Sequence, residues 1–118
     1  MLLTNRGASP DTGEAWRFYR RVRGQFVDWN HVVLTFPDDP ERIRNADEHG
    51  IENKIVRFVD DRGDALEVEG INFGYDGDTP TELVAVLLAE GFGYRDRVEA
   101  VVLNPSGTAI YPQTVRRD

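Results

Sequence analysis

Apolar positions along the chain recur in two periods, and the switches between them mark the elements. Over residues 10–23, Ala15, Phe18, Tyr19 and Val22 form a stripe at helical spacing, with Trp16 on its border and arginines on the remainder. Residues 80–90 carry Leu83, Val84, Val86, Leu87 and Leu88, apolar on most sides, as suits a central core helix or an oligomer contact. Ser9-Pro10, Asp39-Pro40 and Thr79-Pro80 each set a capping side chain before a proline, and Glu82 follows Thr79 at capping-box spacing. Helices are therefore predicted over 10–23, 40–48 and 80–90, with Gly24, Gly50 and Gly91 just past their ends.

Period-two and β-branched runs fill the intervals. His31–Phe36, Lys54–Val59 and Ala65–Ile71 read as strands, the last two joined by a hairpin turn at 60–64. In the returning strand Leu66 and Val68 face in, and Glu67 and Glu69 face out. Val98–Leu103 reads as a buried strand, turned by Asn104-Pro105-Ser106-Gly107 into Thr108–Tyr111. The tail over 113–118 is expected to fray. The order αβαββαββ predicts one α+β domain over 1–118, a mostly antiparallel sheet of about five strands with helices on one face.

Composition changes this picture little. The 118 residues are 40% hydrophobic and 30% charged, ordinary for one globular domain, and hold no cysteine, which excludes disulfides and thiolate metal sites. Met1–Asn5 holds no long apolar run, so a cytoplasmic protein without a membrane partner is expected, in the host cytosol if phage-encoded. The net charge of −7 disfavours DNA or RNA as partners. That charge is uneven: Arg17, Arg20, Arg21 and Arg23 stand against Glu14 alone, a local +3, so the rest of the chain carries −10.

Two stretches offer chemistry. Gly70–Leu83 runs strand, glycine-bearing loop, helix; its glycines permit close backbone approach and its helix N-terminus suits a phosphate, although Asp76 and Asp78 oppose an anion and also read as a capped structural turn. Asn72, Phe73 and Tyr75 stand in this loop, where Phe73 and Tyr75 share a face for stacking on a base, or simply pack. On the first helix Arg17 and Arg21 lie one turn apart with Arg20 beside them, a set of forks for phosphate oxygens or a solvated face. Arg95 and Arg97 line the same cleft or cap a helix end. Arg57, on a strand face shared with Ile55 and Val59, is a further pocket candidate.

Gly74, Tyr75, Gly77 and Pro80, followed by Leu83 and Leu87, resemble small phage and bacterial domains with a strand, a G-Y-x-G-x-x-P loop and an apolar helix, over about a fifth of the chain. Thr79 stands where a small residue is usual, and the two aspartates make this loop more acidic. By analogy of parts the chain resembles phage anti-defence sponges of the Thoeris type. That resemblance implies a homo-oligomer that sequesters a cyclic ADP-ribose-like or cyclic nucleotide signal, with arginines on phosphates and aromatics on adenine.

Catalytic signatures are weak. His31 and His49 lie in different elements, no HxxxH spacing exists, and the paired aspartates fall in turns. The leading expectation is a non-catalytic protein holding a small phosphorylated nucleotide-like ligand without cofactor or metal, through Arg17, Arg20, Arg21, Asn72, Phe73, Tyr75, Arg95 and Arg97. On that reading, Arg21→Ala costs roughly 1.5–3 kcal/mol of binding. The alternatives are an acidic inhibitor or immunity protein covering a basic enzyme, and a small Mg-dependent nucleotide hydrolase.

Overall fold

Strict alternation in three strands decides which side of the sheet receives the helices. Val32 and Leu34, Val56 and Phe58, and Leu66 and Val68 are all buried, while the residues between them point the other way. The computed structural model describes residues 1–36, 44–45 (backbone only) and 54–117.

The elements are β1 (Leu2–Thr4), α1 (Thr12–Val22), a 3-10 turn (Arg23–Gln25), β2 (Trp29–Thr35), β3 (Arg44–Asn45), β4 (Ile55–Asp60), β5 (Ala65–Glu69), α2 (Asp78–Ala89), α3 (Arg95–Val102), β6 (Ile110–Tyr111) and β7 (Gln113–Arg116). The main sheet has the order β1-β5-β4-β2-β7, antiparallel except where β1 runs parallel to β5; β3 and β6 form a separate two-stranded pair. The fold is thus α+β with three α-helices among the described residues and a mostly antiparallel five-stranded sheet.

Several boundaries differ from the sequence reading. The N-cap of α1 is Asp11, whose Oδ1 accepts from the Glu14 N–H at 2.7 Å, so Ser9-Pro10 lies outside the helix. Trp16 belongs to the core stripe and Phe18 is only half-buried. The N-cap of α2 is Gly77, which places Thr79 and Pro80 inside the first turn, where a missing N–H costs nothing. Its C-terminus is as expected: Gly91, at φ 97°, allows Gly91 N–H to reach Leu88 O and Phe92 N–H to reach Leu87 O, and Phe92 is buried there. Arg44 and Asn45 form a strand, so no unbroken helix covers 40–48; the rest of that span and Gly50 lie outside the described residues.

Two corrections are larger. The span 98–103 is helical, not extended: Val98 and Val102 are buried one turn apart, and Arg95 Nε meets Glu99 Oε1 at 2.7 Å across one turn. A short apolar run fits either period. Over Gln113–Arg116 the tail is a strand: β7 pairs with β2, and Val115 is buried opposite Val32. Val115 is the one buried side chain of that strand, too little apolar signal to read from sequence. The 60–64 hairpin and the 104–107 turn form as predicted, closed by Gly63 N–H to Asp60 O and Gly107 N–H to Asn104 O.

One apolar cluster joins α1, α2 and α3 to this sheet face, centred on Trp29, Phe58, Tyr19, Leu83 and Val102. Trp16 Nε1 is buried there without a hydrogen-bond partner among the described residues, whereas the polar atoms around Trp29 are paired internally. Trp29 Nε1 donates to the Tyr19 hydroxyl at 2.9 Å, which donates to Glu90 Oε2 at 2.6 Å, and Arg23 Nε closes the set on the same oxygen at 2.6 Å. The Arg23 guanidinium also lies 4.3 Å from the Trp29 ring centroid. Burial would raise the Glu90 carboxyl, but hydrogen bonds from Arg23 and Tyr19 hold it below its ordinary range. Burial and that same carboxylate push the Tyr19 phenol far above its ordinary value.

Candidate anion site on the sheet face opposite the helices

The other face of the sheet is built from the residues that alternation turns away from the core. Cross-strand register sets His31 of β2 between Val59 of β4 and Arg116 of β7, and Val33 between Arg57 and Thr114; Arg57 in turn faces Glu67 of β5. A cavity of about 490 Å³ opens on this face, lined by Arg6, His31, Val33, Arg57, Val59 and Glu67 together with Thr35, Phe36, Ile55 and Pro112. Its floor is aliphatic and its rim is charged. Glu67 is shared loosely by two guanidiniums, Arg57 Nη1 at 3.6 Å and Arg6 Nη1 at 3.9 Å. Among the described residues two arginines and one carboxylate line the cavity, and Arg116 lies beside His31 in the register. Glu69, on the same face of β5, is turned to the loop between β1 and α1, where it accepts from the Gly7 N–H.

His31 is placed by an irregularity. The register of β2 shifts between Trp29 and His31, so Asn30 is an extra residue that lets Trp29 and Val32 both face the core and His31 face the cavity. Burial, Arg116 and Arg57 together hold the imidazole below its ordinary value of 6.5, so the ring is neutral at neutral pH. Asp60 ends β4 opposite Trp29, buried, its carboxylate accepting from the N–H groups of Val27, Arg62 and Asp64. Burial opposes the charge, but those three bonds keep the group below its ordinary range.

The residues singled out from sequence are dispersed. Arg17, Arg20 and Arg21 are exposed on α1, and Arg21 lies 5.5 Å from the Phe18 ring. Phe73 is fully buried against Tyr111 and Phe36, so no face of its ring is left for stacking, whereas Tyr75 is 41% exposed; the two do not share a face. The Tyr75 ring instead lies over Gly77, where a Cβ would stand 2.3 Å from it. Asn72 Oδ1 accepts from the Phe73 N–H. Gly74 is held at both ends, its N–H on Val102 O and its O on Asn104 Nδ2, so the glycine-bearing loop serves packing against α3. Arg95 is paired with Glu99, and Arg97 lies 5.6 Å from the exposed Tyr94 ring, on a shallow surface over 93–97. Neither that surface nor the sheet-face cavity contains Arg17, Arg20, Arg21, Asn72, Phe73 or Tyr75.

Of the cavity residues only Arg57 stood out in the sequence, as a cation between Val56 and Phe58. His31, Arg6, Arg116 and Glu67 did not, because their convergence depends on register and on a strand at each end of the sheet. No family model, curated protein or solved structure matches this chain, so function is read from the geometry of the site. Among the described residues no helix is long and apolar enough to cross a membrane.

Proposed function

We propose that this chain is a non-catalytic binding protein that captures a small nucleotide-like anion on the sheet face opposite its helices. The observation that carries the reading is the charge inversion there: among the described residues Arg6, Arg57 and His31 line the cavity with one carboxylate, Glu67, over an apolar floor, and Arg116 is the β7 partner of His31, in a chain of net charge −7. Guanidinium forks match phosphate oxygens, and an apolar floor accepts the flat face of a base. The cavity volume suits a mononucleotide-sized ligand.

This reading keeps the ligand class expected from the sequence and moves the site from α1 and the Gly70–Gly77 loop to β2, β4 and β7. Native mass spectrometry with a panel of linear and cyclic nucleotides, cyclic ADP-ribose isomers included, tests it. Retention of an intact nucleotide, lost in Arg57→Ala, supports the reading and reports the oligomer in the same spectrum. Protein that stays empty across the panel but forms a salt-sensitive complex with a basic protein overturns it in favour of an acidic inhibitor.

A further inference from the structure

The cavity contains a titratable group whose free nitrogen is fixed by a chain of hydrogen bonds. Asn30 Nδ2 donates to Asp61 Oδ1 at 3.2 Å, and Asp61 is itself held by Arg117 Nη2 at 3.0 Å. The amide nitrogen being committed to a carboxylate, Asn30 Oδ1 is the atom presented to His31 Nδ1, at 2.8 Å. A carbonyl oxygen there requires Nδ1 to carry the proton. The neutral ring therefore has a bare Nε2, on a side chain that lines the cavity, with Arg116 as its β7 partner and Arg57 two residues along β4 from its β4 partner Val59.

Among the described residues, the groups facing this ring are Arg116 from β7, Arg57 from β4, Glu67 from β5, Arg6 from the segment after β1, and Asn30 from its own strand. The nearer charges are cationic. They oppose protonation of the empty site, and an anion seated among them cancels that opposition. We propose, resting on the anion-site reading above, that the cavity takes a phosphate- or sulfate-type dianion together with one solvent proton, accepted by His31 at Nε2. Protonation converts a lone pair that repels the anion into a donor that joins the guanidiniums of Arg57 and Arg6 lining the cavity, while the Nδ1–H bond to Asn30 is unchanged. Affinity is therefore set by pH as well as by salt.

Inorganic sulfate is the probe, because its own charge is constant across the range, with AMP as a larger companion. Binding is followed by NMR on the intact chain between about pH 5.5 and pH 8, a range spanning ordinary histidine titration. Sulfate affinity is expected to rise as pH falls, approaching roughly tenfold per pH unit where one proton is taken up. In the same samples the His31 ring signal should titrate at higher pH when sulfate is saturating. His31→Gln should still bind, with a flat profile. Binding that is independent of pH in the native chain, or a slope retained in His31→Gln, overturns proton coupling and leaves the anion site standing. Absence of sulfate and AMP binding at every pH overturns both. The ring titration needs no variant, so a poorly folding His31→Gln does not blunt the test.

Discussion

The two faces of the sheet are cut from the same strands and solve opposite problems. On the helix side, each buried polar atom of the Trp29–Tyr19–Glu90–Arg23 set has its partner inside the molecule. On the other side, Arg6 and Arg57 share Glu67 at 3.9 and 3.6 Å, longer than a hydrogen bond, and Arg116 adds a further cation. Alternation makes the difference, since one residue step in β4 separates Phe58 in the core from Arg57 at the cavity. A satisfied polar set locks a fold, whereas an excess of one charge around an apolar floor is capacity for a ligand.

The contrast breaks most visibly in stability. Trp29→Ala removes the largest fully buried side chain and the donor to Tyr19, and should cost about 3–5 kcal/mol in urea unfolding. Glu90→Ala strands Tyr19 and Arg23 together. Because that pair is still partly solvated, the expected loss is about 2–3 kcal/mol, with ligand affinity unchanged. Arg57→Ala should do the reverse: anion affinity falls by roughly 1.5–3 kcal/mol, while stability moves by less than about 0.5 kcal/mol.

Acid should weaken the packed face in a defined window. The Glu90 and Asp60 carboxyls lie below their ordinary values of 4.5 and 3.8 in the folded chain, so the unfolded chain binds protons first. Their stabilisation is complete above those values and is lost as pH falls through the folded ones. Urea midpoints measured downward through this range should drop, and Glu90→Gln should flatten the upper part of the fall. The smallest effect expected is that of Arg21→Ala, under about 0.5 kcal/mol on both stability and binding. A loss of 1.5–3 kcal/mol there, the value expected if α1 holds the ligand, would return the site to the arginine helix.

How much of this was legible in the sequence follows from how local each signal is. The hairpin at 60–64, the core helix ending at Gly91 and the inward Leu66 and Val68 rest on contacts a few residues apart, and they formed as read. The strand expected over Val98–Leu103 is helical because six residues fit either period, and β7 was missed because Val115 is its one buried side chain. The arginine cluster of α1 was conspicuous for its density, yet density on one helix brings charges into solvent, not into a cavity. The sheet-face site is made of single residues at 6, 31, 57, 67 and 116, brought together by pairing across four strands. Arg57 alone broke the local pattern of its strand strongly enough to be noticed.

The central claim is that the sheet face, not α1, receives the anion. The most direct measurement is a nitrogen–proton correlation NMR titration of the intact chain with AMP. The account predicts shifts concentrated at His31, Val33, Arg57, Val59 and Arg116, and at least about tenfold weaker binding in Arg57→Ala. Shifts centred on Arg17–Arg21 or on Tyr94–Arg97, with Arg57→Ala binding as well as the native chain, would contradict it.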